Sequence, residues 1–253
     1  MNILEKILNV KRQEIQQIKD FEFGEMAGQN RSLKDALSKP GISVIAEIKM
    51  KSPSEGEIFP YADPAHIAKG YESAGAAAIS VLTDQFFFGG SLDILKSVRD
   101  TVSIPVIRKD FIIDQKQISE TIHYNGDAFL LIADALDQDS LQQLMNIGKM
   151  AGLEFLVEYH AEKHAEFIFA LNPEIVGINC RNLKTMATDI TYFEKMISSL
   201  PSDSVKVAES GIRTSDDLEY VSDLGYDAAL IGTSLMKTGN PEKALETLFG
   251  EIS

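Results

Sequence analysis

Val205–Gly232 reads VKVAESGIRTSDDLEYVSDLGYDAALIG, and this stretch decides the fold. Two short apolar runs, Val205–Glu209 and Ala228–Gly232, bound it. They are continuous rather than alternating, as strands covered on both faces are. Between them Ser215–Leu224 has helical spacing. Thr214 or Ser215 caps it, Asp216 and Asp217 place acids in its first turn, and Gly225 follows its end. Those choices suit the orphan N–H groups and the helix dipole at one end, and a left-handed residue at the other. The stretch is a strand, a loop, a helix, a turn and a second strand.

Working outward, the same unit recurs along the chain. The strand runs are Ile42–Ile48, Ala77–Leu82, Ile104–Lys109, Ala128–Ile132, Glu154–Glu158, Ile175–Asn179, Val205–Glu209 and Ala228–Gly232. Helical patterns follow at Pro64–Ala74, Ser91–Asp100, Asp114–Tyr124, Asp139–Ala151, Ala161–Ala170, Tyr192–Leu200, Ser215–Leu224 and Pro241–Phe249. Asp63-Pro64 and Asn240-Pro241 pair a cap with a proline at the first helical position, and Gly75 and Gly152 mark further helix ends. An open doubly wound sheet gives the same local pattern, but eight units of about 25 to 30 residues select the TIM (β/α)8 barrel. We expect one barrel domain over residues 1–253, with 1–30 as a helical extension. Ile3, Leu4, Ile7, Leu8, Ile15 and Ile18 mark one face of that extra N-terminal helix. It caps the barrel's bottom or lies near its mouth; the sequence leaves both open.

The net charge of −14 argues against nucleic acid or an anionic membrane as partner, because both need a basic face. It leaves room for a small anion held by a local cluster of cations. Cys180 is the only cysteine, so no internal disulfide forms, as suits a reducing compartment. The N-terminus is charged throughout and lacks a signal-peptide core, and no stretch approaches the roughly 18 apolar residues of a span. A cytoplasmic protein, monomeric or weakly self-associating, is expected.

The informative residues stand where strands end. The first strand ends in Glu47 and Lys49, and the third in Arg108, Lys109 and Asp110. The fifth ends in Glu158 and His160, the sixth in Asn179, Arg181 and Asn182, and the seventh in Glu209 and Ser210. In a barrel these ends build the active site. Residues two apart share a face, so Glu47 and Lys49 point one way, as do Asn179 and Arg181. Opposite charges on several strands must then converge on one mouth, for chemistry or for mutual ion pairing. After strands seven and eight come Ser210-Gly211 and Gly232-Thr233-Ser234. Glycines there admit a ligand close to backbone N–H groups, and barrels often bind phosphate at those two loops. The first loop, Met50–Gly56, is long and polar and can carry Ser52 or Ser54 over a ligand. Phe86-Phe87-Phe88-Gly89-Gly90 either lines an apolar pocket or packs on the N-terminal helix.

Together these residues resemble the indole-3-glycerol-phosphate synthase family. The resemblance rests on Ala46-Glu47-Ile48-Lys49 with Ser52-Pro53-Ser54, Thr83-Asp84 with Phe87–Leu92, and Pro105–Phe111. It continues through Leu156-Val157-Glu158, Gly177-Ile178-Asn179 with Arg181-Asn182-Leu183, Ala208–Ile212, and Gly232 with Ser234-Leu235-Met236. Cys180 stands where asparagine is common, and Thr233 where glutamate or serine occurs.

The resemblance implies a carboxy-lyase of tryptophan biosynthesis. It would convert 1-(2-carboxyphenylamino)-1-deoxyribulose 5-phosphate to indole-3-glycerol phosphate, releasing CO2 and water, with no cofactor and no metal. It implies Lys109 as general acid for ring closure and Glu158 as acid and base for dehydration. Glu47, Lys49, Asn179 and Glu209 complete the catalytic set. Ser52, Phe88, Leu130, Arg181, Leu230 and the phosphate cradle of Ser210, Gly211, Gly232 and Ser234 would bind the small phosphorylated aromatic substrate. Lys109, with a free pKa of about 10.4, is a weak acid at neutral pH, and burial or Arg108 beside it would lower that value. Competing readings are another phosphate-binding barrel, such as a phosphoribosyl isomerase or a tryptophan synthase α subunit, and a barrel that binds a phosphometabolite without catalysis. His66, His123, His160 and His164 do not have metal-ligand spacing.

Overall fold

The computed structural model describes residues 2–19, 30–182 and 186–250. Leu183 of the sixth-strand motif and residues 20–29 of the extension lie outside them.

Eight parallel strands close a barrel in chain order. They are β1 (Ser43–Ile48), β2 (Ala78–Leu82), β3 (Val106–Lys109), β4 (Ala128–Ile132), β5 (Glu154–Tyr159), β6 (Ile175–Asn179), β7 (Val205–Glu209) and β8 (Ala228–Ile231). β8 pairs back onto β1, with Ser43 opposite Ala228 and Ala46 opposite Ile231. The expected TIM barrel is therefore present, with each strand within two residues of its expected bounds. The caps hold as well. Asp63 accepts from the Ala65 N–H, Thr214 forms a capping box with Asp217, and Asn240 accepts from the Lys243 N–H. Gly75, Gly152 and Gly225 have φ of 95°, 69° and 94°.

The period of two sorts each strand into two faces. Val44, Ala46, Val81, Phe129, Val157, Ile178 and Ala208 face outward into the core beneath the helices. Ile45, Ile107, Leu156 and Val207, on the odd-numbered strands, fill the barrel interior. Two residues further along those same strands stand Glu47, Lys109, Glu158 and Glu209. Barrel interiors are stacked in layers of four side chains from alternate strands. Here the uppermost odd-strand layer is entirely charged. Beneath it the even-strand layer holds Ser80, Leu130, Gly177 and Leu230.

Helix α1 (Ile3–Ile15) answers the question of the N-terminal helix: it lies at the mouth, where Ile3, Leu4 and Ile7 line the cavity. It is shorter than the expected stripe. Gln17 and Ile18 donate back to Glu14 and Ile15 in a tightened turn, so Ile18 lies beyond the helix. The barrel's bottom is closed instead by α2 (Leu33–Leu37), whose Leu33 and Leu37 are fully buried against the interior layer. Glu154 at the start of β5 holds this plug, accepting from Ser32 Oγ and the Lys34 N–H, each at 2.8 Å.

Candidate active site

A cavity of about 420 Å³ opens at the C-terminal ends of the strands. Its wall includes every residue that the family resemblance assigns to the site: Glu47, Lys49, Ser52, Phe88, Lys109, Leu130, Glu158, Asn179, Arg181, Glu209, Ser210, Gly211, Leu230, Gly232 and Ser234. Within a chain of net charge −14, the wall carries Lys49, Lys109, Arg181, Arg213 and Lys237 against Glu47, Glu55, Asp110, Glu158 and Glu209. The mouth is thus locally balanced and can accept an anion that the rest of the surface repels.

Lys109 is the hub. Its Nζ lies 2.8 Å from Glu209 Oε2, 3.5 Å from Glu158 Oε2 and 3.7 Å from Glu47 Oε2. Glu47 also holds Lys49 at 2.5 Å. Glu47, Glu158 and Glu209 are 3%, 5% and 1% exposed, so these charges act on one another with little screening by water. Burial pulls the Lys109 pKa down, but Glu209, Glu158 and Glu47 outweigh it and hold the ammonium above its ordinary range. Burial pushes the Glu47 carboxyl up, and Lys49 and Lys109 bring it below the usual value. Glu209 differs: burial and the charge of Glu158 push its carboxyl up to about 8, although Lys109 opposes them. Asn179 Nδ2 donates to Glu158 Oε1 at 2.8 Å and Asn179 Oδ1 accepts the Arg181 N–H at 3.0 Å, which fixes the amide's orientation.

Two expectations need correction. Arg108 does not face the mouth. Its neighbour Lys109 points inward, so the pleat sends Arg108 outward. There it is buried, donating to Gln117 O at 2.7 Å and Thr83 Oγ1 at 3.2 Å and pairing with Asp110 and Glu120. The Lys109 pKa is consequently raised by carboxylates rather than lowered by Arg108. His160 and Asn182 also stay out of the cavity wall. His160 donates Nδ1–H to Asn179 O (2.8 Å) and stacks on Tyr192.

The loops shape the rest. Ser210 and Gly211 both have left-handed backbone, φ 70° and 79°, which turns the chain sharply after β7. Cys180 packs beneath that turn, its thiol donating to Ser210 O. A Cβ on Gly211 would lie 2.9 Å from its sulfur, so the close approach requires glycine. Ser234 Oγ donates to Ile212 O and ties the seventh loop to the eighth. The first loop is a small hairpin rather than an open coil, with Lys51–Ser52 pairing Gly56–Glu57. Glu55 at its tip pairs with Lys237, across the mouth. Of the three phenylalanines only Phe88 lines the cavity, 6.1 Å centroid to centroid from Phe111. Phe86 is 65% exposed.

Sequence reasoning missed one feature of the site. Lys11 on α1 is buried, 3.0 Å from Asp84 Oδ2 and 2.9 Å from Asp110 Oδ1. The signal was a lysine on the apolar face of α1, beside Ile7 and Leu8.

Comparison with known proteins agrees with this geometry. Residues 4–248 match the family model for indole-3-glycerol phosphate synthase. The enzyme of that name from Halalkalibacterium halodurans is 43% identical over 251 residues, covering 98% of this chain and 97% of the relative. Its namesake from a Geobacillus species is 45% identical over 253 residues, covering 99% and 98%. Among solved structures, thiamine phosphate pyrophosphorylase from Pyrococcus furiosus matches with a TM-score of 0.63 over 87% of this chain and 96% of that one. At 14% identity it shares the fold alone. With charged barrel layer, loops and sequence in agreement over nearly the whole chain, the protein belongs to the indole-3-glycerol phosphate synthase family.

Proposed function

We propose that this mouth carries out the family's reaction: it closes the indole ring of 1-(2-carboxyphenylamino)-1-deoxyribulose 5-phosphate, releasing CO2 and water to give indole-3-glycerol phosphate. The carrying observation is the ammonium of Lys109 at the centre of a buried carboxylate layer.

Ring closure needs a proton on the ketone oxygen while the ring carbon attacks. Lys109 is held protonated, the starting state of a general acid. A substrate that draws away one of its carboxylate partners makes it a stronger acid at the moment of use. Arg181, with its planar fork, and Lys49 hold the substrate's anions. The carboxylate of the substrate must be oriented without being over-stabilised, because only interactions stronger in the transition state speed its loss. Glu158, steadied by Asn179, takes and returns protons in the dehydration. Phe88, Leu130 and Leu230 provide the apolar wall for the aromatic ring, and Ser210, Gly211, Gly232 and Ser234 cradle the phosphate. Ser52 closes from the first loop.

The test is Lys109→Ala in a single-turnover assay that follows indole fluorescence from the ribulose phosphate. Turnover should fall by about a thousandfold or more, the upper range for one proton-transfer group, while substrate still binds. Near-normal turnover sinks the assignment.

A further inference from the structure

Glu158 and Glu209 flank β6, one inward-facing position apart along it. Glu158 pairs in register with Gly177, and Glu209 with Asn179. Between the two glutamates the inward positions of β6 are thus an amide and a glycine. The glycine leaves a gap. A Cβ at Gly177 would lie 2.3 Å from Glu209 Oε1, so that oxygen occupies the space where a side chain would stand. Through this gap the charge of the Glu158 carboxyl acts on Glu209 directly.

The hydrogen bonding around the pair is incomplete in one respect. Glu209 Oε2 takes Lys109, and Glu158 Oε1 takes Asn179. Glu209 Oε1 is sealed from solvent and has no donor. An ionised carboxylate oxygen in that position loses the full hydration of a charged acceptor. The surrounding charge gives the same answer. Glu209 meets Lys109 from β3 and the charge of Glu158 from β5, and Lys109 in turn meets Glu47, which holds Lys49, on β1; the register neighbours Asn179 on β6 and Leu230 on β8 are neutral. Three buried carboxylates against two ammonium groups leave one negative charge in excess, and a single proton cancels it.

We propose that Glu158 and Glu209 share one proton in the resting site, carried on Glu209 and donated through Oε1 to Glu158. The proton satisfies the orphaned oxygen, leaves Glu158 as the carboxylate base, and makes the inner mouth electroneutral before an anionic substrate arrives. The pair then titrates as a unit, and the upward push on Glu209 to about 8 has the same sense. Above that pH the mouth gains a negative charge and repels the substrate's carboxylate. The inference rests on the proposed reading of this mouth as the substrate site only for its kinetic consequence; the proton itself is a property of the ligand-free protein.

Two measurements test it. Infrared difference spectra of ligand-free wild type against Glu209→Gln, near neutral pH, should show one protonated carboxyl that the variant lacks. NMR of isotope-labelled glutamate in the wild type, which needs no variant, should show one mouth glutamate titrating far above the ordinary range. The KM of the wild type should rise about tenfold per pH unit above the pair's titration, whereas that of Glu209→Gln, whose amide donates at every pH, should stay flat there. Absence of the protonated carboxyl in the wild type, or ordinary titration of all the mouth glutamates, overturns the proposal. Either result leaves the Lys109→Ala test of the reaction standing on its own.

Discussion

Lys11 Nζ lies 2.9 Å from Asp110 Oδ1, so a lysine on the N-terminal helix is bonded to the residue that follows the central lysine of the site. The same ammonium reaches Asp84 after β2 and Glu14 on its own helix. Its partners at the barrel are buried. The pair therefore joins the wall formed by Ile3, Leu4 and Ile7 to the strand that carries Lys109.

Lys11→Met removes the cation, so that Asp84 loses this ion pair and Asp110 keeps the one to Arg108. Breaking a buried pair on one side costs about 3–5 kcal/mol. We expect a loss of that order in urea denaturation, and a KM that rises more than kcat falls, because α1 loosens while Lys109 keeps its carboxylates. Unchanged stability and KM would show that α1 is held by its apolar face alone.

Gly177→Ala tests the space beneath the charged layer. The added methyl meets Glu209 Oε1 and must displace it. Overpacking of this kind costs roughly 1–3 kcal/mol. The cost to turnover should be larger in proportion, about 10- to 100-fold, since misplacement of an aligned group by about 1 Å has that effect. Gly148→Ala serves as the control: its methyl would collide with Phe129 on the outer face of β4, away from the mouth. It should lower the melting temperature and spare kcat.

The barrel was legible because its strands are apolar runs of β-branched residues that stop at charges, and because caps such as Thr214 and Asp63 announce the helices. Where the reading failed, the physics was local. Grouping Arg108 with Lys109 at one strand end overlooked that the pleat sends these adjacent residues to opposite faces. Leu33–Leu37 is too short for periodicity to reveal, and its burial depends on closure of a barrel that no single window contains. The position of α1 was written in Lys11, a charge on an apolar face that required buried acids to meet it. The shared space of Glu158 and Glu209 depends on registering β5, β6 and β7 side by side, which sequence spacing alone does not provide.

Glu158→Gln should separate the two halves of the reaction. Gln keeps the contact with Asn179 in shape but cannot accept and return a proton. Ring closure, assigned to Lys109, should continue, while dehydration slows by about 100-fold or more. Rapid quenching should then trap the cyclised, decarboxylated but still hydrated intermediate. An unchanged rate with no intermediate removes Glu158 from that step.

Acid stability should report the buried network behind β3. Burial pushes the Asp110 carboxyl up, but Arg108 and Lys11 outweigh it and bring it down to about 2. The unfolded chain titrates this group near 3.9. Between those values the unfolded state binds more protons than the folded one, so stability falls as pH falls. The contribution is complete above about pH 4 and is lost as the pH drops through about 2. It amounts to on the order of 2 kcal/mol. Asp110→Asn, which keeps the acceptor for Thr83 but not the charge, should be destabilised at neutral pH and lose less further stability on acidification than the wild type does. Equal slopes of unfolding free energy against pH for the two proteins would place the acid-sensitive charges elsewhere.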